Sequence, residues 1–502
     1  MNPKFVSCAV VRGWLGAVAL WLAVAPLVSA AENKALRPNV VFILADDLGW
    51  GDVGFHGSEI KTPNIDRLAE TGTRLEQFYV QPVCSPTRAA FMTGRYPIRY
   101  GLHIGVVRPW AQYGLPLDER TLAQGLKEAG YTTAITGKWH LGHFEPAYLP
   151  TRRGFDHQYG HYNGALDYFK HERDGGFDWH RDDKVAREEG YATHLIAREA
   201  TRLIGAHDTK KPLFLYVPFN AVHSPHQVPE SYLAPFAHLK GNRRLYAGML
   251  AAMDEAIGQI IDAVEKKGMR QNTLIFFCSD NGGPAPGVVT SNGPLRASKG
   301  TLYEGGVRVP AVASWPGTLK AGAIVNAPMH MVDWYPTLIT LAGGSLQQKH
   351  PLDGKDAWRA IMGGAATRDE MLHNVTATGG AVRVGDWKLV MNGQNRDAED
   401  GPPEVAAAAA EAKETKVAAK KKKGAKKAEK TENAATAATA GRVELFNIKD
   451  DPYEKTNLAE KEPAKTRELQ AKLEAYIKAA APAKGGAIPA GFKTPKVWGE
   501  RD

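Results

Sequence analysis

The chain has 502 residues, with 63 Lys+Arg against 54 Asp+Glu and 3 Cys. Hydrophobic residues at 43% and charged residues at 23% sit at globular averages, which excludes a disordered or fibrous chain, and three cysteines exclude a disulfide framework. The net charge of +9 invites a nucleic-acid or membrane reading, but residues 1–30 and 404–440 together carry +6 of it, so no nucleic-acid partner is expected.

Residues 1–30 read as a secretory signal. Lys4 and Arg12 give a positive start, residues 14–28 are an apolar run too short for an ordinary membrane span, and Val28-Ser29-Ala30 suits cleavage. The protein is therefore expected to be exported, periplasmic or secreted, without stable membrane insertion after signal removal. Cleavage discards Cys8 and leaves Cys84 and Cys278. In an exported protein these two either pair or one of them is used chemically.

The run at 38–44 (PNVVFIL) predicts a buried strand ending at Asp46-Asp47. A short helix is expected at 64–72, and another beginning just after Cys84. A helix at 122–129, closed by Gly130, precedes a strand at 132–137. A helical stretch ending at 199–206 leads to a strand at 213–219. Leu245, Met249, Met253, Ile257, Ile260 and Val264 recur at steps of four and three, the spacing of one long amphipathic helix. Strands are expected at 273–278 (TLIFFC) and 307–314, and a helix at 334–341. This alternation predicts an α/β domain over residues 31–365 with a large, mostly parallel sheet between helices. In such sheets ligands bind beyond the carboxyl ends of the strands, where Asp46-Asp47, Lys138-x-His140, His223 and Asp280-Asn281 fall.

Beyond residue 365 the pattern predicts a smaller α+β subdomain, 366–502, with strands at 381–391 and 442–448 and a helix at 466–479. Between its strands lies the 404–440 tract, with nine Lys, five Glu and no apolar face. It reads as a solvated insertion.

Asp46-Asp47 and Asp280-Asn281 are paired oxygen donors of the kind hard divalent cations take, and the set alone fits Ca²⁺ or Mg²⁺. A group at Cys84 would face the N-terminus of the helix that follows, which favours anions, with Arg88 adding a fixed cation. Cys278 lies inside an apolar run and reads as an inert core thiol.

Cys84-x-Pro86-x-Arg88 followed by Thr93-Gly94-Arg95 resembles the signature of the type I, formylglycine-dependent sulfatases. The similarity extends from about residue 38 to 460. It takes in Gly137-Lys138-Trp139-His140, Arg152-Arg153-Gly154-Phe155-Asp156, Glu304-Gly305-Gly306-Val307-Arg308 and Glu444-Leu445-Phe446-Asn447. Within the family the surroundings of Lys138 and Arg152, and His171-Glu172-Arg173, are most similar to the arylsulfatase B, or N-acetylgalactosamine-4-sulfatase, branch.

The resemblance implies an alkaline-phosphatase-like sandwich. It also implies that Cys84 is oxidised to formylglycine by a separate formylglycine-generating enzyme, its partner in maturation. The hydrated aldehyde attacks sulfur with one hydroxyl and expels sulfate with the other. By the same resemblance one Ca²⁺ is held by Asp46, Asp47, Asp280, Asn281 and modified Cys84. Arg88 and Lys138 match the cations around the diol, and His140 matches the base beside it. His223 and Lys299 match the pair that binds sulfate and protonates the leaving oxygen. Sugar contacts are expected, from position, at Trp110, His161, Asp167, His171 and His226, with Arg108, Trp179 and His180 as further residues of the mouth. The implied activity is exo-hydrolysis of a 4-O-sulfate on N-acetylgalactosamine or galactose. The competing readings are a phosphatase or phosphonate monoester hydrolase of the same fold, and a non-enzymatic polyanion-binding protein using the Lys-rich tract.

Overall fold

The computed structural model describes residues 37–393 and 442–500. The signal, with Cys8, and the 404–440 tract lie outside the described residues.

The apolar run at the N-terminal end of the described chain forms the strand Asn39–Ala45, all seven residues buried. Successive side chains of a strand point to opposite faces. Val40, Phe42 and Leu44 enter one hydrophobic core and Val41, Ile43 and Ala45 the other. A strand apolar on both faces needs helices on both sides. On one side lie Pro63–Thr71, Ala192–Ala206 and the long helix Gly241–Lys266, and on the other Cys84–Thr93, Leu122–Glu128 and Trp334–Leu341.

The resulting sheet has ten strands. Its centre is parallel and runs Thr273–Ser279, Asn39–Ala45, Leu213–Pro218, Thr132–Lys138, His157–His161. Antiparallel strands flank it, among them Ala311–Ser314. The large mixed sheet between helices, with a small antiparallel sheet beside it, is the alkaline-phosphatase-like fold expected from the resemblance. The register pairs Ala45 with Ser279 and Leu44 with Pro218, so the ends of these strands leave the sheet side by side. The polar residues after each end therefore share one edge.

Two expected elements differ. The strand expected at 307–314 begins only at Ala311, after a helical turn Glu304–Val307. Pro310 cannot donate to a ladder, which explains the late start. The strand expected at 381–391 is a hairpin, Gly380–Val384 and Trp387–Met391, turned at Gly385 with φ +56°. Glycine reaches that left-handed conformation without steric cost.

The smaller sheet orders Glu370–Val375, Gly380–Val384, Trp387–Met391 and Val443–Asn447, all antiparallel. Helix Pro463–Ala479 packs on it through fully buried Leu469 and Leu473. No described helix is long and apolar enough to cross a membrane.

Candidate active site

The shared strand edge gathers the chemistry. Asp46 follows the first strand, and its N–H donates to Ala221 O at 2.9 Å while its carbonyl accepts from Val222 N–H at 2.8 Å. Asp280 follows Thr273–Ser279, with its N–H donating to Ala45 O at 3.0 Å. Lys138 is the last residue of its own strand. Asp47 and His140 sit at φ +62° and +56°. Asp and His tolerate that region better than most residues, and such strain is held where the surroundings over-determine it.

Cys84 is the first residue of the ten-residue helix Cys84–Thr93. Its Sγ lies 3.4 Å from Asp46 Oδ1 and 3.7 Å from Lys299 Nζ. Donor atoms of Asp46, Asp47, Cys84 and His223 all lie within 4.8 Å of one another. Arg88 reaches Asp280 Oδ2 at 2.8 Å and Asp46 Oδ2 at 3.4 Å. Lys138 Nζ is ion-paired with Asp46. Lys299 Nζ lies 2.9 Å from Asp47 Oδ1, and His223 Nε2 3.7 Å from Asp47 Oδ2.

Burial sets the charges here. It pushes the Cys84 thiol well above its usual value, helped by Asp280 and Asp46. It lowers His140, with Lys138 and Arg88 adding to the effect, and takes His223 down to about 3. Burial would also raise Asp47, but Lys299 and His223 outweigh it and hold the carboxyl low.

Asn281 Nδ2 donates to Asp47 Oδ1 at 2.7 Å, yet its Oδ1 is buried without a partner. A buried orphan acceptor among carboxylates is costly unless a cation satisfies it. The donors around it are hard oxygens, so Asp46, Asp47, Asp280 and Asn281 fit a divalent cation such as Ca²⁺.

His140 donates from Nε2 to Val107 O at 3.1 Å, so its buried, unpartnered Nδ1 carries the lone pair. Its ring is walled by the chain at 162–164, where a Cβ on Gly164 would meet it at 2.4 Å. Asp178 fixes this wall by accepting from Tyr162 N–H at 2.9 Å and Asn163 N–H at 2.8 Å. Ser85, which sequence reasoning passed over, links the parts. Its Oγ donates to His140 O at 2.9 Å and accepts from Val107 N–H at 3.0 Å. Tyr168 likewise holds the His223 loop, donating to Asn220 O at 2.6 Å and lying 2.8 Å from His223 O. A serine after the cysteine carries no spacing signal, and Asp167-Tyr168 belongs to the family resemblance without a role for the tyrosine, so only the fold reveals what each holds.

The expected sugar contacts scatter. His161 and His171 are buried and stack on Trp179 at 6.2 and 4.6 Å. His180 is buried too, stacked on Tyr162 at 4.2 Å. Both ring nitrogens of His161 and of His180 are buried without a hydrogen-bond partner. Asp167 caps its own turn, accepting from Phe169 and Lys170 N–H at 2.9 and 2.7 Å. Trp110 and His226 are half-buried. Cys278 is buried in the core, and Cys84 and Cys278 are both free thiols.

A cysteine at a helix N-terminus among paired carboxylates and fixed cations, at the carboxyl edge of a parallel sheet, suits a hydrolase of anionic esters. Residues 38–345 match the sulfatase family. The chain is 38% identical to mouse (Mus musculus) arylsulfatase J, over 89% of this chain and 77% of that protein. It is 34% identical to mouse N-acetylgalactosamine-6-sulfatase, over 74% of this chain and 75% of that protein. Among solved structures, Ps i-CgsB in complex with k-i-k-neocarrahexaose superposes with a TM-score of 0.74 at 31% identity, covering 92% of this chain and 95% of that one. The chain belongs to the sulfatase family and is a sulfatase. The expected 4-sulfatase type stays a proposal, since a named relative is a 6-sulfatase.

Proposed function

We propose that this sulfatase releases inorganic sulfate from a sulfated carbohydrate, acting at a chain end on 4-O-sulfated N-acetylgalactosamine or galactose. The observation that carries the chemistry is the buried cluster of Asp46, Asp47, Cys84 and His223 beside the unpartnered Asn281 Oδ1. Asp46, Asp47 and Asp280 are offset by Arg88, Lys138 and Lys299. A bound divalent cation then leaves the pocket net positive, which favours an anionic ester.

Formylglycine at position 84 would supply paired hydroxyls for attack and release, and Ca²⁺ would supply the charge that acidifies a hydroxyl and polarises sulfate oxygens. The chain's own residues do the rest. Arg88 and Lys138 hold position 84 and offset charge that builds on its oxygen. The lone pair on His140 Nδ1 takes the proton when sulfate is expelled. His223 and Lys299 bind the sulfate, and a proton from this pair reaches the leaving oxygen.

The carbohydrate reading draws on relatives: the 6-sulfatase is named for N-acetylgalactosamine, and the solved neighbour holds a neocarrahexaose. Position 4 draws on the resemblance around Lys138, Arg152 and His171-Glu172-Arg173. Export, periplasmic or secreted, and maturation by a formylglycine-generating enzyme complete the proposal. The deciding experiment is intact mass of the peptide around Cys84, with sulfate release from 4-O- and 6-O-sulfated N-acetylgalactosamine and 4-O-sulfated galactose. An aldehyde mass and preference for a 4-sulfate are expected. A thiol in active protein, or a faster aryl phosphate than aryl sulfate, overturns the mechanism.

A further inference from the structure

Beside the chain that walls His140 lies a carboxylate that the mechanism does not use. Asp178 is fully buried. Its Oδ1 accepts from Tyr162 N–H at 2.9 Å, and its Oδ2 from Asn163 N–H at 2.8 Å and Asn163 Nδ2 at 2.9 Å. His180 Nδ1 lies 3.6 Å from Oδ1, and no Lys or Arg pairs with Asp178 among the described residues. A carboxylate buried without such a cation carries a desolvation cost that a neutral side chain would avoid. What its three hydrogen bonds fix is the course of residues 162–164. Those residues meet His140 twice. The His140 N–H donates to Tyr162 O at 3.0 Å, and a Cβ on Gly164 would stand 2.4 Å from Cε1 of the ring and 2.5 Å from Nε2. The ring belongs to the site through Ser85, next to Cys84, whose Oγ donates to His140 O at 2.9 Å.

Asp178 is itself held by residues 496–499. Phe177 N–H donates to Lys496 O and Trp498 N–H to Phe177 O, each at 2.9 Å, and Val497 pairs with Phe177 in a parallel bridge. Phe177 also pairs with Glu172, so residues 496–498 add a further extended segment to that hairpin. Asp178 is the next residue, with its N–H donating to His171 O at 2.8 Å. Trp498 is buried, donates from Nε1 to Arg173 O at 2.8 Å, and meets His143 edge-on at 5.4 Å between ring centroids. Gly499 lies so close to Tyr162 that a Cβ there would stand 2.6 Å from the ring, and Tyr162 stacks on His180 at 4.2 Å.

We propose that Asp178 is a positioning residue for His140, and that residues 496–499 close the chamber around it, with Trp498 as the clasp. The proposal rests on the role given to His140 above. A group that takes a proton in one step must be kept within about 0.5 Å of its productive place. Residues 162–164 do this through backbone and close approach, which leaves Nδ1 of the ring free of a partner. Asp178 and Trp498 act through those residues and not on the substrate.

The test uses matured full-length enzyme on an aryl sulfate, by steady-state and rapid-mixing kinetics. His140 acts when sulfate is expelled, after the aryl alcohol has left, so a misplaced ring slows the later step alone. D178N keeps the volume but turns donors toward amide N–H groups, which removes one of the bonds at 162–163. It should lower kcat at least roughly tenfold while kcat/KM stays within about threefold, with a burst of aryl alcohol before slow turnover. W498A should show the same pattern with kcat down about fivefold, and W498F should recover part of that. D178N/W498A should match D178N within about twofold, because both act on the same residues. An unchanged kcat in D178N, a joint fall of kcat and kcat/KM without a burst, or losses that multiply in the double variant overturns the proposal. If D178N does not fold, W498A and W498F decide by the same kinetic pattern. H140A separates the proposal from the reading beneath it and should show the burst with a larger loss of kcat. H140A at the parent kcat overturns the role of His140 itself, whereas a slow H140A beside a D178N at the parent kcat overturns the positioning alone.

Discussion

Among the described residues, two of the buried ionic clusters are built differently. One is the candidate active site at the carboxyl edge of the large sheet. The other lies where the large domain meets the small sheet. There Lys388 Nζ is 2.8 Å from Glu304 Oε1 and 2.9 Å from Glu454 Oε1. Tyr79 donates to Glu304 Oε2 at 2.8 Å and accepts from Arg383 at 2.7 Å, and Glu304 N–H donates to Glu454 Oε2 at 2.7 Å. Each oxygen of Glu304 has a partner. The candidate active site keeps the Asn281 Oδ1 and His140 Nδ1 orphans, with Asp47 and His140 at positive φ, whereas at the junction Glu454 is also at positive φ but its Oε1 has Lys388 as an ion-pair partner. A closed network holds two sheets in register, whereas an open one is shaped for something that arrives later.

Breaking the open cluster should cost activity and spare the fold. C84A is expected to lower aryl sulfate turnover by roughly 10⁴-fold or more, the scale of losing a nucleophile. Unfolding in urea should shift by no more than about 1 kcal/mol, because the sulfur makes only two long contacts, to Asp46 and Lys299, which have other partners. Residual turnover within tenfold of the parent would remove the distinction between the two clusters.

Breaking the closed cluster should do the reverse. In K388M two buried carboxylates lose the cation between them, Glu304 keeping only Arg308 at 3.6 Å, and such a break costs about 3–5 kcal/mol. The unfolding midpoint should fall accordingly, while kcat on aryl sulfate, measured well below the new midpoint, stays near the parent value. A stable K388M protein with lost turnover would mean the junction acts on the site.

The two clusters also differ in how far the sequence announces them. Asp46-Asp47, Lys138-x-His140 and Asp280-Asn281 stand directly after apolar runs, so strand ends locate them. Helix periodicity finds Gly241–Lys266 for the same reason, since one face must repeat to be buried. The junction cluster has no such mark. Glu304, Lys388 and Glu454 are far apart in the chain and sit among ordinary polar residues, and only tertiary packing brings them together. The short strands Glu370–Val375 and His157–His161 escape notice because each is five or six residues with polar side chains inside. Ser85, Asp178 and Gly164 act on His140 through backbone groups and close approach, which leaves no trace in spacing. The stacking of His161 and His171 on Trp179 is likewise visible only in the fold, since position near a motif does not name a packing partner.

The closed cluster should also be visible in the pH dependence of stability. Burial and the neighbouring Glu304 charge raise Glu454 from its ordinary 4.5 to about 7, while Lys388 holds Glu304 low. Between those two values the folded state keeps a proton on Glu454 that the unfolded chain has released. The stabilisation is complete below pH 4.5 and is lost as pH rises to about 7, by at most about 3 kcal/mol. E454Q keeps the shape without the titration, so urea unfolding from pH 4.5 to 7.5 should lose that falling component. An unchanged slope in E454Q would place the proton elsewhere.

The smallest effect is expected at the Lys-rich tract. Met391 pairs with Val443, and Asn392 N–H donates to Arg442 O at 3.0 Å, so the described ends on either side of the tract are neighbours in one antiparallel ladder. A short connection closes such a pair as well as a long one. Loop closure costs only about 0.6 kcal/mol per doubling of length. Deleting 404–440 should therefore raise stability by about 1 kcal/mol and leave aryl sulfate turnover within twofold. The polyanion-binding reading requires the opposite, because it puts the working surface on the lysines themselves. A deletion that abolishes turnover would move the functional cations from Arg88, Lys138 and Lys299 to the tract, and the active-site cluster would become the structural one of the pair.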